Sequence, residues 1–158
     1  MAANGKSRRA GLAMPQVNDH PLRAWLAVAR AYQTIQRQLE RILDEAGLTL
    51  PQFDVLANLG MSEGITQQEL AGRLLVTKGN VCGVLDRMEE ADLVERRPDP
   101  RDRRANRLYL TGRGRGALRE AFPAHLGVVQ RHMAALSDEQ CQLLCRLLAT
   151  VENGELSD

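Results

Sequence analysis

The spacing of apolar residues along this chain changes once, and that change limits the folds open to it. Up to Met88 they return every three or four positions, the repeat of helices packed on one side. Then "LVERR" and "ANRLYL", two short β-prone runs, flank the charged, proline-containing "PDPRD". After Thr111 the helical repeat resumes. This order predicts a mainly α chain with one small β-hairpin. At 158 residues it has room for one compact domain, or for one domain and an oligomerisation element. Aromatic residues are only 3%, so aliphatic side chains must build the core.

Start and stop signals divide the helical parts. Leu22, Leu26, Ala29, Tyr32, Ile35, Leu39, Ile42 and Ala46 form one stripe on a long first helix, which Gly47 ends. "LTLPQFDVLANLG" reads as a second helix, with Pro51 in its first turn and Gly60 after its end. Thr66 and Glu69 make a capping box for a short third helix. Thr77 caps a fourth, whose buried face is Val81, Val84, Leu85 and Met88. Thr111 caps a fifth carrying Leu118, Phe122, Leu126, Val129 and Met133, with Pro123 expected to kink or break it. Ser137 and Gln140 are a second capping box, opening a last helix with Leu144, Leu147, Leu148 and Val151.

The hairpin concentrates charge. Residues 96–107 hold six Arg and two Asp, a local balance of +6 − 2 = +4 in a chain whose net charge is +1. Like charges repel, so a nearby polyanion is the simplest reason for the gathering. Asp99 and Asp102 are expected to hold the tip by bonding neighbouring arginines and backbone N–H groups. A tight helix pair followed by a hairpin with a basic tip makes residues 48–110 a winged helix-turn-helix, a duplex-DNA reader. The helix from Thr77 is the one to enter the major groove. Gly79, Gly83, Asp86 and Glu90 lie opposite its core stripe, with Asn80, Cys82 and Arg87 on the flanks. Glycines there let the backbone come close, Asn80 suits a base edge, and Lys78 and Arg87 suit phosphates. Gln67 and Gln68 can meet the DNA backbone from the third helix. Arg101, Arg103 and Arg104 can enter the adjacent minor groove.

The stretch from "ITQQELAGRLLVTKGN" to "LYLTGRG" resembles the DNA-binding core of the MarR family of bacterial transcriptional regulators. "LDRMEEADLVER", "DPRDRR" and "LYLTGRG" carry the resemblance most strongly. It implies a homodimer formed by residues 20–47 and 111–153, a palindromic operator, a repressor role, and release by a small ligand or by oxidation. It assigns the minor-groove role to Arg104, with Arg101 and Arg103 beside it, and base reading to the turns after Thr77. Gly83 stands where many family members carry an arginine. A two-fold dimer reads half-sites about 10 bp apart or a multiple of that. Trp25, Tyr32 and Asp54 are candidates for lining a cleft that in relatives takes small aromatic acids or phenols. Packing in the dimer core is the simpler reading of Trp25 and Tyr32.

Other readings are weaker. "GRGRGA" matches a dinucleotide fingerprint, but the residues after it are helical where a second strand is required. No nucleophile elbow, P-loop, zinc-protease signature or carboxylate pair is present, so neither catalysis nor a cofactor is expected. His20, His125 and His132 lack close carboxylate or cysteine partners, and no metal is expected. Cys82, Cys141 and Cys145 are an odd set without ligand spacing, which suits a reducing cytoplasm. Residues 1–19 read as a disordered, weakly basic tail without the apolar segment of a secretion signal. A protein–protein adaptor on the same winged fold is the main alternative, although it has no need of three tip arginines. A small-molecule enzyme is the more distant one.

Overall fold

The computed structural model describes residues 19–74, 78–100, 102 and 105–154. Their elements run α1 (His20–Glu45), α2 (Leu50–Met61), β1 (Ile65–Thr66), α3 (Gln67–Arg73), α4 (Lys78–Glu90), β2 (Val94–Pro98), β3 (Asn106–Leu110), α5 (Gly112–Met133) and α6 (Asp138–Glu152). The mainly helical chain with a β-hairpin is therefore what forms. Two units divide it: residues up to Thr34, described here as the first part of α1, and Ile35–Asp158. The tail expected over residues 1–19 lies, up to residue 18, outside the described residues.

Local capping chemistry sets the helix starts. Thr49 and Gln52, Thr66 and Glu69, and Ser137 and Gln140 each form a reciprocal capping box, while Thr111 Oγ1 caps α5 at Gly114 N–H. Gly47 follows α1 at φ +70°, a conformation glycine adopts without strain.

The core of the second unit lies between α2, the helix pair and the hairpin. Leu56 and Leu59 of α2, Leu70 of α3, Leu85 and Met88 of α4, and Leu108 of β3 have no exposed surface. The sheet is antiparallel, ordered β1-β3-β2, with Val94 opposite Leu110 and Ile65 opposite Leu108. β1 makes it one strand wider than the expected hairpin. Two residues show no periodicity, so nothing local announces this strand.

Two expectations need revision. Gly60 sits inside α2, not after it. A Cβ there would come within 2.5 Å of Leu118 Cδ2, so this glycine serves close packing of α2 on α5. α5 runs through Pro123 without a break. Ala121 and Val128, buried on either side, hold the helix where the proline leaves one backbone bond unmade. Half of the α1 stripe is exposed in the single chain (Leu22, Leu26, Tyr32 and Ala46), while Ala29, Ile35 and Ile42 are half-buried; the helix's buried residues are Leu39 and, outside the stripe, Leu43. Among the described residues α6 buries none, and Leu143, Leu147 and Val151 are exposed on it.

α5 enters the unit at a point with no spare volume. A Cβ built on Gly114 would stand 1.9 Å from the Leu93 carbonyl oxygen, a backbone atom that cannot swing aside. Beside it, Thr111 donates Oγ1–H to the Asp92 carbonyl at 2.5 Å, and Asp92 holds φ +57°. Gly114→Ala is expected to cost about 1–3 kcal/mol, the usual range for overpacking. Urea unfolding of the variant beside the parent chain measures it, and an unchanged midpoint would contradict this packing.

Candidate nucleic-acid interface

α4 is held on one side. Val81, Leu85 and Met88 are sealed in the core and Val84 is half-buried, as the helical repeat predicts. Asn80, Asp86, Arg87 and Glu90 are exposed, and Gly79 is exposed beside them. Cβ atoms placed on Gly79 and Gly83 would meet nothing within 4 Å. Packing among the described residues therefore does not require either glycine. Thr77, the expected cap, lies outside the described residues, as does the Lys78 side chain.

α3 and α4 are joined by a side-chain bond. Gln67 Nε2 lies 2.6 Å from Cys82 Sγ, so two residues expected at the DNA face are engaged with each other in the free chain. Gln68 is exposed. The carboxyl of Glu69 is held below the usual carboxylate range by hydrogen bonds from Thr66 N–H and Oγ1–H. The three cysteines are free thiols.

The hairpin arginines divide into two groups. Arg96 bonds Asp86 and Glu89 of α4 at 2.6 and 2.5 Å. Burial works against its charge, and the bonds to Asp86 and Glu89 outweigh it, so its pKa is raised. Arg97 pairs with Glu95 and lies over the Tyr109 ring, 4.4 Å from its centre. Arg107 donates Nη2–H to the buried Asp99 at 2.8 Å and Nη1–H to the Gly64 carbonyl at 2.6 Å. These three are thus paired with carboxylates of the same chain, which revises the view that the whole cluster answers to an outside polyanion. Asp99 does brace an arginine, as expected, and Asp99 N–H and Ala105 N–H close the tip on the carbonyls of Ala105 and Asp102 at 2.9 Å. Arg101, Arg103 and Arg104 lie outside the described residues.

Sequence reasoning misses the residues that tie the wing down. Asp86 reads from the sequence as an outward acidic position, and nothing there singles out Glu89 or Gly64. Their partners are 7 to 43 residues away, beyond any local signal.

The ligand candidates lie on two helices. Trp25 and Tyr32 of α1 are each 63% exposed. Asp54, on α2, is half-buried, and desolvation raises its pKa above 3.8. Its neighbour Phe53 stacks on His125 with ring centres 4.3 Å apart, and burial lowers the pKa of that imidazole. An open groove of about 440 Å³ lies between the end of α2 and α5, walled by Met61, Glu63, Arg115, Leu118 and Arg119. Asp54 does not line it. The "GRGRGA" run starts α5 after an antiparallel strand, without the parallel β-α-β unit of a dinucleotide site.

Comparison with known proteins gives a consistent result. A model described as MarR family matches residues 46–105. The HTH-type transcriptional regulator YkoM of Bacillus subtilis is 31% identical over 130 residues, covering 82% of this chain and 84% of that protein. AbsC, a MarR family transcriptional regulator from Streptomyces coelicolor, matches with a TM-score of 0.81 at 30% identity, over 88% of this chain and 96% of AbsC. A mutant MarR from Escherichia coli, complexed with operator DNA, matches with a TM-score of 0.75 at 28% identity, over 84% of this chain and 94% of that one.

Burial at Asp54 sets a pH dependence. A carboxyl that titrates higher in the folded chain than in the unfolded one lowers stability above its raised pKa, and the penalty fades as pH falls towards 3.8. Asp54→Asn is therefore expected to be more stable than the parent at neutral pH and to converge with it near pH 4. Thermal melts across that range check it; equal stability at pH 7 would contradict the assignment.

Proposed function

This chain belongs to the MarR family of transcriptional regulators, and from that premise we propose that it is a homodimeric repressor bound to a palindromic operator. In this reading each copy lays α4 in the major groove and sets its wing tip into the neighbouring minor groove. One observation carries it: α4 is sealed by its core face and open on the other, on a fold matching an operator-bound regulator with a TM-score of 0.75. Asn80 is the candidate base reader, Lys78, Arg87 and Gln68 suit phosphates, and Arg101, Arg103 and Arg104 fit the minor groove.

The dimer reading rests on unpartnered apolar surface. Trp25 and Leu26 of α1, Phe122 and Leu126 of α5, and Leu147 and Val151 of α6 are exposed in the single chain. So many large apolar side chains in water are costly to a monomer, and a second copy covers them. Trp25 and Tyr32 then pack between copies. A cytoplasmic place suits three free thiols. No helix among the described residues is long and apolar enough to cross a membrane. Release by a small aromatic acid or phenol completes the proposal, and such compounds added to a preformed complex should free the DNA.

Two measurements test this. With roughly 4–5 phosphates neutralised per copy, affinity should fall about 10³–10⁵-fold between 50 and 200 mM salt. Arg103→Ala with Arg104→Ala should weaken binding to every duplex and flatten that slope by about 0.9 for each phosphate no longer neutralised. Gel-shift titrations with unchanged affinity and slope would remove the wing from the mechanism. Sedimentation should give a dimer at micromolar concentration, and a stable monomer would overturn the homodimer.

A further inference from the structure

One side chain fastens the wing to α4. Arg96 leaves the middle of β2, opposite Leu108, with its side chain 17% exposed. It donates Nη2–H to Asp86 Oδ1 at 2.6 Å and Nη1–H to Glu89 Oε2 at 2.5 Å. Its backbone N–H adds a third bond, to Glu89 Oε1 at 3.2 Å. Asp86 and Glu89 stand one helical turn apart, so a single planar fork spans both carboxylates. A lysine ammonium carries the same charge but has no such fork.

Charge alone does not explain the arrangement. The cluster holds two carboxylates and one guanidinium, a balance of −1 on a helix that, in the reading above, approaches a polyanion. A helix selected only for attraction to phosphate would do better without either acid. What the three bonds supply is a fixed angle between α4 and the hairpin. Phosphate contacts tolerate small changes in that angle, whereas base-edge hydrogen bonds do not.

We propose that Arg96 is a positioning residue, which through Asp86 and Glu89 locks α4 and the wing into one register and so sets the ability to discriminate between DNA sequences. This rests on the DNA-binding reading. The duplex that the wild type enriches from a random-sequence pool, and a scrambled duplex of the same composition, are the two probes. Arg96→Lys keeps the net charge but not the fork. Asp86→Ala with Glu89→Ala removes both acceptors while making α4 less negative. For both variants the preference for the selected duplex over the scrambled one should fall about tenfold, the size of one mismatched base pair. Binding to the scrambled duplex should be unchanged for Arg96→Lys and equal or tighter for the double variant. Should Arg96→Lys melt below the assay temperature, the double variant, altered at two largely exposed side chains, carries the test. Variants that keep the wild-type preference, or that lose affinity for both probes in equal proportion, overturn the proposal. A wild type that enriches no duplex at all defeats the DNA-binding reading itself, and the role of Arg96 with it.

Discussion

Burial of Val81, Leu85 and Met88 decides which side of α4 is free, and most of the site depends on it. These side chains share a core with Leu56 and Leu59 of α2 and Leu108 of β3, so the helix cannot rotate without opening that core. Its other face is defined by exclusion. Two glycines stand there with open space around them, although each costs a helix about 1 kcal/mol relative to alanine. No compensating contact within the described residues offsets that cost, which fits a helix built for close approach from outside.

Electrostatics divides the hairpin along its length. Along its strands the arginines are held by acids of the same chain: Arg96 by α4, Arg97 by Glu95 and Arg107 by the buried Asp99. Arg107 also grips the Gly64 carbonyl, joining the turn before β1 to the wing. The remaining three, Arg101, Arg103 and Arg104, come from the tip sequence. The positive run is thus one segment with two tasks, structural in the strands and, in the proposed reading, DNA contact at the tip.

Local signals are legible in the sequence, and long-range ones are not. The capping boxes at Thr66 and Ser137 can be read from residue types three positions apart, and Gly47 from its place after a periodic run. The roles of Gly60 and Gly114 cannot. They depend on Leu118 and on the Leu93 carbonyl, which only the tertiary fold brings near. The apolar stripes of the first and last helices stand out as faces, but periodicity does not say whose core a face enters. In the single chain they are largely exposed. The Arg96 fork escapes for the same reason: residues 86, 89 and 96 lie on two elements, and each acid alone resembles a solvated surface charge.

In the proposed assembly two copies each present α4 and its wing as one rigid reader, related by a two-fold axis. Hydroxyl-radical footprinting on a selected duplex tests this most directly. The expected result is two protected blocks related by symmetry, with centres about 10 bp apart or a multiple of that. A single block, or protection that tracks no particular sequence, would contradict it.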